Sequence, residues 1–235
     1  MSVFVSILEE GKKAPKVIEE EDFSKLVFTK KNKGLEAKIG DETTLKGKPL
    51  KDAHITVVTE GEEETSDIYL KNKSIINSEF EIIGGGNLNL DVQMKSGNPN
   101  GKGKSVFANN DITASDANDS IKFSKARFFG NTIDLGQGED SITFGGSDTK
   151  VNMFGENVLH LGDDDDTDIV KFNTANGNID EMIANTNAKF VIKNFGEGDI
   201  FRIKNLDTDE VVDYTQDDLK NGNTPNDYFE FEFLD

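Results

Sequence analysis

Apolar and polar residues alternate in a repeated pattern through the middle of the chain, and each copy of the pattern follows an aspartate. The four aspartates are Asp119, Asp140, Asp168 and Asp199, and each has apolar residues two and four positions later. Alternation with a period of two predicts a strand with one buried face. Short strands of this kind cannot bury their apolar faces alone, so the repeat predicts stacked coils that form a β-solenoid.

The repeated unit extends upstream of each aspartate. Three copies begin with Lys and reach a Phe after a short gap, at 104–107, 125–129 and 150–154. Segments rich in Asn and Gly follow them, which is typical of turns. The fourth copy is predicted to be shortened to 194–199. Successive aspartates lie 21, 28 and 31 residues apart, which indicates a constant coil base with loops that grow outward.

Three parts are predicted along the chain: a β-rich docking module over 1–65, a repeat β-solenoid over 66–206 and a capping tail over 207–235. The acidic run at 60–64 is the predicted linker. In the tail, Thr215 is placed to cap a short helix that ends near Lys220, with Gly222 beyond it. The predicted fold is mostly β: an irregular parallel β-solenoid or β-roll with an N-terminal module and a C-terminal cap.

The chain ends with alternating Phe and Glu over 229–233, which predicts a final strand. This strand would cover the open end of the solenoid, because an uncovered last coil exposes an edge that can pair with other chains.

Charge narrows the classes of partner. The chain has 45 Asp and Glu against 26 Lys and Arg, a net charge of −19. Nucleic-acid binding relies on basic side chains that displace counterions, so no nucleic-acid partner is expected. No apolar run approaches the roughly 18 residues that a membrane-spanning helix needs, so no membrane insertion is expected. The absence of cysteine excludes disulfides and thiolate metal sites.

One segment resembles a known repeat. Residues 136–144 read Gly-Gln-Gly-Glu-Asp-Ser-Ile-Thr-Phe and fit the pattern G-x-G-x-D-x-U-x. The segment resembles a repeat of the haemolysin-type, or RTX-like, calcium-binding β-roll proteins. The resemblance implies that carbonyl groups at Gly136 and Gly138 and the carboxylate of Asp140 bind calcium between neighbouring turns. Calcium takes six to eight oxygen ligands of these kinds.

The acidic run at 163–166 is a second metal candidate. If the coils stack with strands about 4.8 Å apart, then Asp164, Asp166 and Asp168 lie beside Asp140 of the preceding coil. Stacked carboxylates repel one another, and a calcium ion would relieve the repulsion. The predicted calcium ligands are Gly136, Gly138, Asp140, Asp164, Asp166 and Asp168. The alternative is a solvated acidic loop.

The residues favour a structural role over catalysis. No pairing of nucleophile and base or of acid and base is visible, and His54 and His160 lack partners for a zinc site, so the chain is predicted not to be an enzyme. The predicted function is that of a non-enzymatic structural surface protein, an acidic β-solenoid on a virion surface, as capsid decoration or fibre. Its acidic, cysteine-free composition, rich in Asn and Lys, is similar to that of phage virion decoration proteins.

The predicted partners are a viral shell or a cell-surface protein and further copies of the chain, in a homo-oligomer. Two alternatives stay open. One is a secreted, extracellular RTX-like calcium-binding protein. The other is a solenoid glycan hydrolase or lyase, which would need clustered carboxylates in a groove.

Overall fold

The computed structural model describes backbone and side chains for residues 74–93, 106–146, 151–183 and 187–234. For the strands at 3–9, 26–27, 35–38, 43–47, 50–51, 53–59 and 65–72, and for residue 94, it describes the backbone. The predicted linker at 60–64 lies outside the described residues.

The protein is mostly β, with strands that form three sheets. The strands in the first half of the chain are β1 (Val3–Glu9), β2 (Leu26–Val27), β3 (Leu35–Lys38), β4 (Thr43–Gly47), β5 (Leu50–Lys51), β6 (Ala53–Thr59), β7 (Thr65–Asn72), β8 (Ser74–Ile76), β9 (Glu79–Gly84), β10 (Asn87–Met94), β11 (Val106–Ala108) and β12 (Asp111–Thr113). Those in the second half are β13 (Ser120–Ser124), β14 (Arg127–Phe129), β15 (Thr132–Asp134), β16 (Ser141–Phe144), β17 (Asn152–Phe154), β18 (Glu156–His160), β19 (Ile169–Thr174), β20 (Lys189–Phe195), β21 (Ile200–Asn205), β22 (Val211–Tyr214) and β23 (Phe229–Phe233).

Within the described residues the sheets have ten, eight and five strands. The ten-stranded sheet has the order β2-β3-β4-β7-β10-β13-β16-β19-β21-β22, the eight-stranded sheet β1-β6-β9-β12-β15-β18-β20-β23, and the five-stranded sheet β17-β14-β11-β8-β5. From β4 to β18 the chain visits the ten-stranded, five-stranded and eight-stranded sheets in that order, five times in succession. Equivalent strands of successive passes pair in parallel.

The strands predicted after the four repeat aspartates are confirmed as β13, β16, β19 and β21. The fourth copy differs from the prediction, because it is a full pass rather than a shortened one. A 3-10 helix at Ile179–Met182 follows β19, and β20 then pairs with β18. A parallel bridge between Met153 and Ile183 places the end of this helix beside β17. The helix therefore stands where earlier passes have a strand of the five-stranded sheet.

Antiparallel pairs occur toward both ends of the chain, so the ten- and eight-stranded sheets are mixed. β1 pairs antiparallel with β6, β2 with β3, and β3 with β4. At the other end β22 pairs antiparallel with β21. In the first part of the chain β4, β5 and β6 also pair in parallel with β7, β8 and β9. The predicted domain boundary at residue 65 stays a prediction.

The helix and strand predicted for the tail are confirmed. Helix α1 spans Gln216–Lys220, and Thr215 caps it by accepting a hydrogen bond from the backbone N–H of Asp218. The Asp218 carboxylate in turn accepts from the Thr215 backbone N–H at 2.9 Å, which completes a capping box. β23 pairs in parallel with β20 and extends the eight-stranded sheet.

The core is a column of phenylalanines enclosed by the three sheets. On the ten-stranded sheet the rings of Phe123, Phe144, Phe172 and Phe201 stack in sequence, with centroid separations of 5.6, 4.9 and 5.2 Å. All four side chains are fully buried. Burial of this aromatic area, together with the Ile and Leu side chains of the same core, contributes much of the stability.

Candidate cation site at the aspartate corner

The four repeat aspartates lie at one corner of the fold, each directly before a strand of the ten-stranded sheet. The strand register aligns Ser120 with Ser141, Ser141 with Ile169, and Ile169 with Ile200, so the aspartates that precede them are also aligned. Their relative exposure is only 2 to 4%. Aspartate is rarely buried to this degree without partners, so this column, which we call the aspartate ladder, needs a physical account.

Each carboxylate of the aspartate ladder accepts a backbone hydrogen bond from the preceding pass. Oδ1 of Asp119 accepts from the N–H of Leu88 at 2.9 Å, and Oδ1 of Asp140 accepts from the N–H of Asp119 at 2.6 Å. Oδ1 of Asp168 accepts from Asp140, and Oδ1 of Asp199 from Asp168, at 2.8 and 2.9 Å. The aspartate ladder therefore provides acceptors for backbone N–H groups at a corner where the backbone hydrogen bonds between strands are interrupted.

The second carboxylate oxygen distinguishes Asp140 from Asp119 and Asp199. Oδ2 of Asp119 accepts from the backbone N–H and the hydroxyl of Ser115, at 2.9 and 2.8 Å. Oδ2 of Asp199 accepts from the N–H of Gly196 at 2.7 Å. Oδ2 of Asp140 is buried and has no hydrogen-bond partner within the described part of the chain. A buried carboxylate oxygen without a partner is strongly unfavourable when it is charged.

The pKa values follow from this arrangement. Burial raises the pKa of Asp140 to about 9, and the negative charges of Asp168, Asp119 and Asp164 add to the increase. Burial likewise raises the pKa of Asp168 to about 7. The pKa values of Asp119 and Asp199 are also raised by burial, although hydrogen bonds from backbone N–H groups oppose the shift. At neutral pH the ladder therefore favours a bound proton or another cation at Asp140.

A column of asparagines accepts backbone hydrogen bonds in the same way at another corner, where the chain enters the eight-stranded sheet. Oδ1 of Asn110 accepts from the N–H of Ser78 at 2.9 Å, and Oδ1 of Asn131 accepts from the N–H of Asn110 at 3.1 Å. Oδ1 of Asn157 accepts from the N–H of Asn131 at 3.1 Å. The amide nitrogen of Asn131 also donates to the carbonyl of Phe107 at 3.1 Å. A neutral amide thus satisfies both of its polar ends, whereas an aspartate in the same role needs donors or a cation for its second oxygen.

The sequence pattern indicated these asparagines only as turn residues. The signal that could have found them is the recurrence of Asn two residues before a buried apolar residue of a short strand, at spacings of 21 and 26 residues. These spacings match the length of one pass, as the spacing of the aspartates does.

The structure brings the six predicted calcium ligands to the same corner, but Asp164 of the acidic loop uses both of its carboxylate oxygens to accept backbone hydrogen bonds. Oδ1 of Asp164 accepts from the N–H of Asp166 at 2.9 Å, and Oδ2 of Asp164 accepts from the N–H of Gly138 at 3.2 Å. The second contact joins the loop to the preceding pass. Within the described residues, no group of three or more His, Asp or Glu side chains is arranged to hold a metal ion. Oδ2 of Asp140 and nearby backbone carbonyls are the atoms that could bind a cation.

Glycines allow successive passes to approach closely at this corner. A Cβ on Gly162 would lie 2.2 Å from the carbonyl oxygen of Gly136, and a Cβ on Gly136 would lie 2.1 Å from the carbonyl oxygen of Ser115. Both glycines also have positive φ. These residues of the predicted site therefore have a structural reason to be glycine, since no side chain fits between the passes.

We expect Gly162→Ala to destabilise the protein by about 2 kcal/mol more than Gly155→Ala, because the new methyl group must displace backbone of the preceding pass. Gly155 is a matched control: its φ is +56° against +54° at Gly162, but a Cβ there would meet no atom within 4 Å. Urea denaturation of both variants measures the difference. Equal free energies of unfolding would show that only the backbone conformation matters.

A wide cleft of about 860 Å³ adjoins the corner, between the acidic loop and the tail. Its lining residues are Asp164, Asp165, Asp166, Gly196, Glu197, Gly198, Gln216, Lys220 and Leu234. The Gln216 side chain fixes the tail against this cleft by donating to the carbonyl of Phe195 at 2.7 Å. The cleft is acidic, and among the described residues its lining includes no aromatic side chain on which a sugar ring could stack.

None of the helices in the described residues has the length and apolar character that crossing a bilayer requires. Comparison of the chain with protein-family models, with curated proteins and with solved structures found no match.

Proposed function

We propose that the protein is a non-enzymatic structural surface protein, a β-solenoid whose aspartate corner is closed by calcium. The observation that carries this proposal is the use of the four repeat aspartates. All four are buried and in register, and one carboxylate oxygen of each accepts a hydrogen bond from a backbone N–H of the preceding pass. Carboxylates committed in this way hold the scaffold together and are not exposed to act on a substrate.

The repeated visits to three sheets support a solenoid as the finer description of the fold. In a solenoid each pass contacts only its neighbours, and stability comes from the stacking of passes. The parallel pairing of equivalent strands, the phenylalanine column, the aspartate ladder and the asparagine column all repeat once per pass. Such a body is a stiff shaft with a large surface, which suits a protein that projects from a larger assembly.

We place this shaft on a virion surface, as capsid decoration or fibre. It would dock on the viral shell and associate with copies of itself. The support is the net charge of −19, which keeps a surface-rich protein soluble and disfavours non-specific contact with nucleic acid. The main alternative is a secreted, extracellular RTX-like protein that uses the same corner to fold on calcium.

Calcium is proposed at Asp140 because one oxygen of its carboxylate lacks a donor within the described part of the chain and the carboxylate lies among other negative groups. Its Oδ2 is buried without a partner among the described residues, and the negative groups of Asp119, Asp164 and Asp168 surround it. Carbonyl oxygens of the Gly136–Gly138 turn are the additional hard ligands that calcium prefers. The ion would supply the positive charge that the second donor provides at Asp119 and Asp199.

Thermal unfolding in EDTA and across a calcium titration tests this proposal. A ligand present at 100 times its Kd stabilises the folded state by about 2.7 kcal/mol, which raises Tm by roughly 5–11 °C for a chain of this size. We expect such a rise with calcium and a much smaller one with magnesium, which demands stricter octahedral geometry. An unchanged Tm would remove calcium from the proposal and leave a solenoid that is stable by itself.

Circular dichroism in EDTA separates the structural protein from the RTX-like alternative. A chain that is stable through its phenylalanine column keeps its β spectrum without calcium, whereas the RTX-like alternative predicts a disordered chain that folds when calcium is added. The glycan hydrolase alternative rests on the acidic cleft, and it predicts that oligosaccharides are released from an acidic or neutral polysaccharide.

A further inference from the structure

The outer face of the ten-stranded sheet carries a cluster of cations on a protein that is otherwise strongly acidic. The strand register aligns Lys122 with Thr143, Thr143 with Lys171, and Lys171 with Arg202. Lys204 lies two residues beyond Arg202 on the same strand and face. We call Lys122, Lys171, Arg202 and Lys204 the basic stripe. It follows the stacking direction, with Lys122 and Lys171 two strands, or roughly 10 Å, apart.

Like charges that face each other on neighbouring strands destabilise a sheet, so the basic stripe is unexpected. Lys171 and Arg202 are direct register neighbours. Burial lowers the pKa of Lys171, and the charges of Lys204, Arg202 and Lys122 lower it further. The strand register places an acid at each end of this row, Asp91 beside Lys122 and Asp213 beside Arg202, but none between Lys122 and Arg202.

On the eight-stranded sheet, in contrast, lysines are paired with acids of the neighbouring strand. There Lys189 forms an ion pair with Glu230, and Lys193 forms one with Glu232 at 3.2 Å. On this sheet each cation therefore faces an acid of the next strand.

Two members of the basic stripe are already neutralised. Arg202 makes a bidentate pair with Asp213, with both N–O distances at 2.7 Å, and Lys204 pairs with Asp209 at 2.8 Å. Within the described residues neither Lys122 nor Lys171 forms an ion pair. These two lysines flank the hydroxyl of Thr143 and leave two positive charges available for an external anion.

The complementary group in the same chain is the acidic loop at 163–166. Asp163, Asp165 and Asp166 are exposed. The loop leads into β19, the strand that contains Lys171, so loop and stripe lie at the same level of the stack. Up to about 16 Å of extended chain separates Asp166 from Lys171, and within the described residues no ion pair joins the loop to the stripe. The two groups therefore do not neutralise each other within one molecule.

We propose that the basic stripe, through Lys122 and Lys171, binds the acidic loop at 163–166 of a second copy of this chain. Because both groups lie at one level, two copies can meet side by side without a shift along the stack. The contact joins two different surfaces, so it generates a closed ring or a row of copies. The inference deepens the proposed structural role and rests on it for self-association.

Sedimentation velocity at low and high ionic strength is the first test, with the full chain and calcium present. We expect self-association that weakens as salt rises, since exposed ion pairs are screened. Lys122→Gln combined with Lys171→Gln removes two ion pairs and should weaken association about tenfold. Lys125→Asn is the control: it removes a charge outside the stripe, and asparagine tolerates the positive φ of this position. Its association should match that of the unmodified chain.

A charge swap between copies gives the sharper test. Copies with Lys122→Glu and Lys171→Glu should not self-associate, and neither should copies with Asp163→Lys and Asp165→Lys. A mixture should associate, because the unmodified stripe of one variant meets the unmodified loop of the other, and the reversed stripe can meet the reversed loop. Asp164 is left unchanged, since it bonds the backbone of the loop. A melting curve for each variant confirms that it is folded.

Several outcomes would overturn the inference. One is a chain that stays monomeric at every concentration and salt level, which would leave the calcium test of the proposed function unaffected. Another is equal weakening by the stripe variant and by Lys125→Asn. A third is binding of the unmodified monomer to a sulfated-polysaccharide resin, lost in the stripe variant and unaccompanied by self-association. That result would assign the stripe to a carbohydrate polyanion.

Discussion

In EDTA, the stability of the protein is expected to fall as pH rises from about 4 to about 9, and Asp140→Asn is expected to remove most of this fall. The pKa of Asp140 is raised to about 9 in the folded protein, from an ordinary value of 3.8. The folded state therefore binds this proton more tightly than the unfolded chain. The resulting stabilisation is complete below pH 4 and is lost as pH rises through the folded-state pKa values, about 7 for Asp168 and about 9 for Asp140.

The variant isolates Asp140 from the rest of the ladder. The amide oxygen that Asp140→Asn introduces can still accept from the backbone N–H of Asp119, and the amide cannot become charged. Leaving a buried charge uncompensated costs about 3 kcal/mol or more, which corresponds to roughly 6–12 °C in Tm. At pH 9 in EDTA the variant should therefore melt that much higher than the unmodified chain, while at pH 4 the two should be similar. The variant should also lose the calcium response.

Asp119→Asn is the matched control for Asp140→Asn. Both oxygens of Asp119 accept hydrogen bonds, and those on Oδ2 come from the backbone N–H and hydroxyl of Ser115. An amide NH2 at this place would face the Ser115 N–H, so Asp119→Asn should destabilise the protein at neutral pH and, since Oδ2 of Asp140 stays in place, should keep a stabilising response to calcium. If Asp140→Asn instead destabilises the protein at pH 9 as Asp119→Asn does, the account of an unpartnered oxygen is wrong.

Phe144→Ala is expected to lower the free energy of unfolding by about 3–5 kcal/mol, the range for removal of a large buried aromatic. The Phe144 ring is fully buried and lies 4.9–5.6 Å from the rings of Phe123, Phe128, Phe172 and Phe190. It therefore contacts core rings from strands of all three sheets, across three passes. The cavity left by alanine cannot collapse easily, because stacked backbone fixes the passes above and below.

Urea denaturation measures this effect, and Val212→Ala provides a control. Val212 is 52% exposed on β22 at the edge of the ten-stranded sheet, so its truncation should change stability by less than about 0.5 kcal/mol. A loss below about 1 kcal/mol for Phe144→Ala would mean that the passes are held mainly by their backbone ladders and not by the phenylalanine column.

Local pattern was sufficient to predict most strands. The alternation after Asp119, Asp140, Asp168 and Asp199 is confirmed in β13, β16, β19 and β21, because burial of one face of a strand imposes a period of two. The capped helix after Thr215 was predictable for a similar reason, since its capping box is formed by residues three positions apart. β20 was missed because its run Phe-Val-Ile at 190–192 is continuously apolar and buried, and does not alternate with polar residues as the other strands do.

The corner was only partly predictable. The sequence placed Asp140, Asp164 and Asp168 near one another, since stacking of repeats brings equivalent positions together. Only the structure distinguishes their roles, because hydrogen bonding depends on which donors face each oxygen. Asp164 is occupied by backbone N–H groups of Asp166 and Gly138, whereas Oδ2 of Asp140 has no partner among the described residues.

The periodic features of this protein could be predicted from the amino-acid sequence: a β-rich chain, the strands after the aspartates, the phenylalanine core and the acidic charge. These follow from composition and short-range alternation, which any register of stacking preserves. The tertiary structure alone decided which passes are neighbours, and therefore that Asp140 lacks a donor among the described residues and that Lys171 faces Arg202. Such contacts join residues about 30 positions apart through strand register, and register is set by the summed packing of whole passes rather than by any local segment.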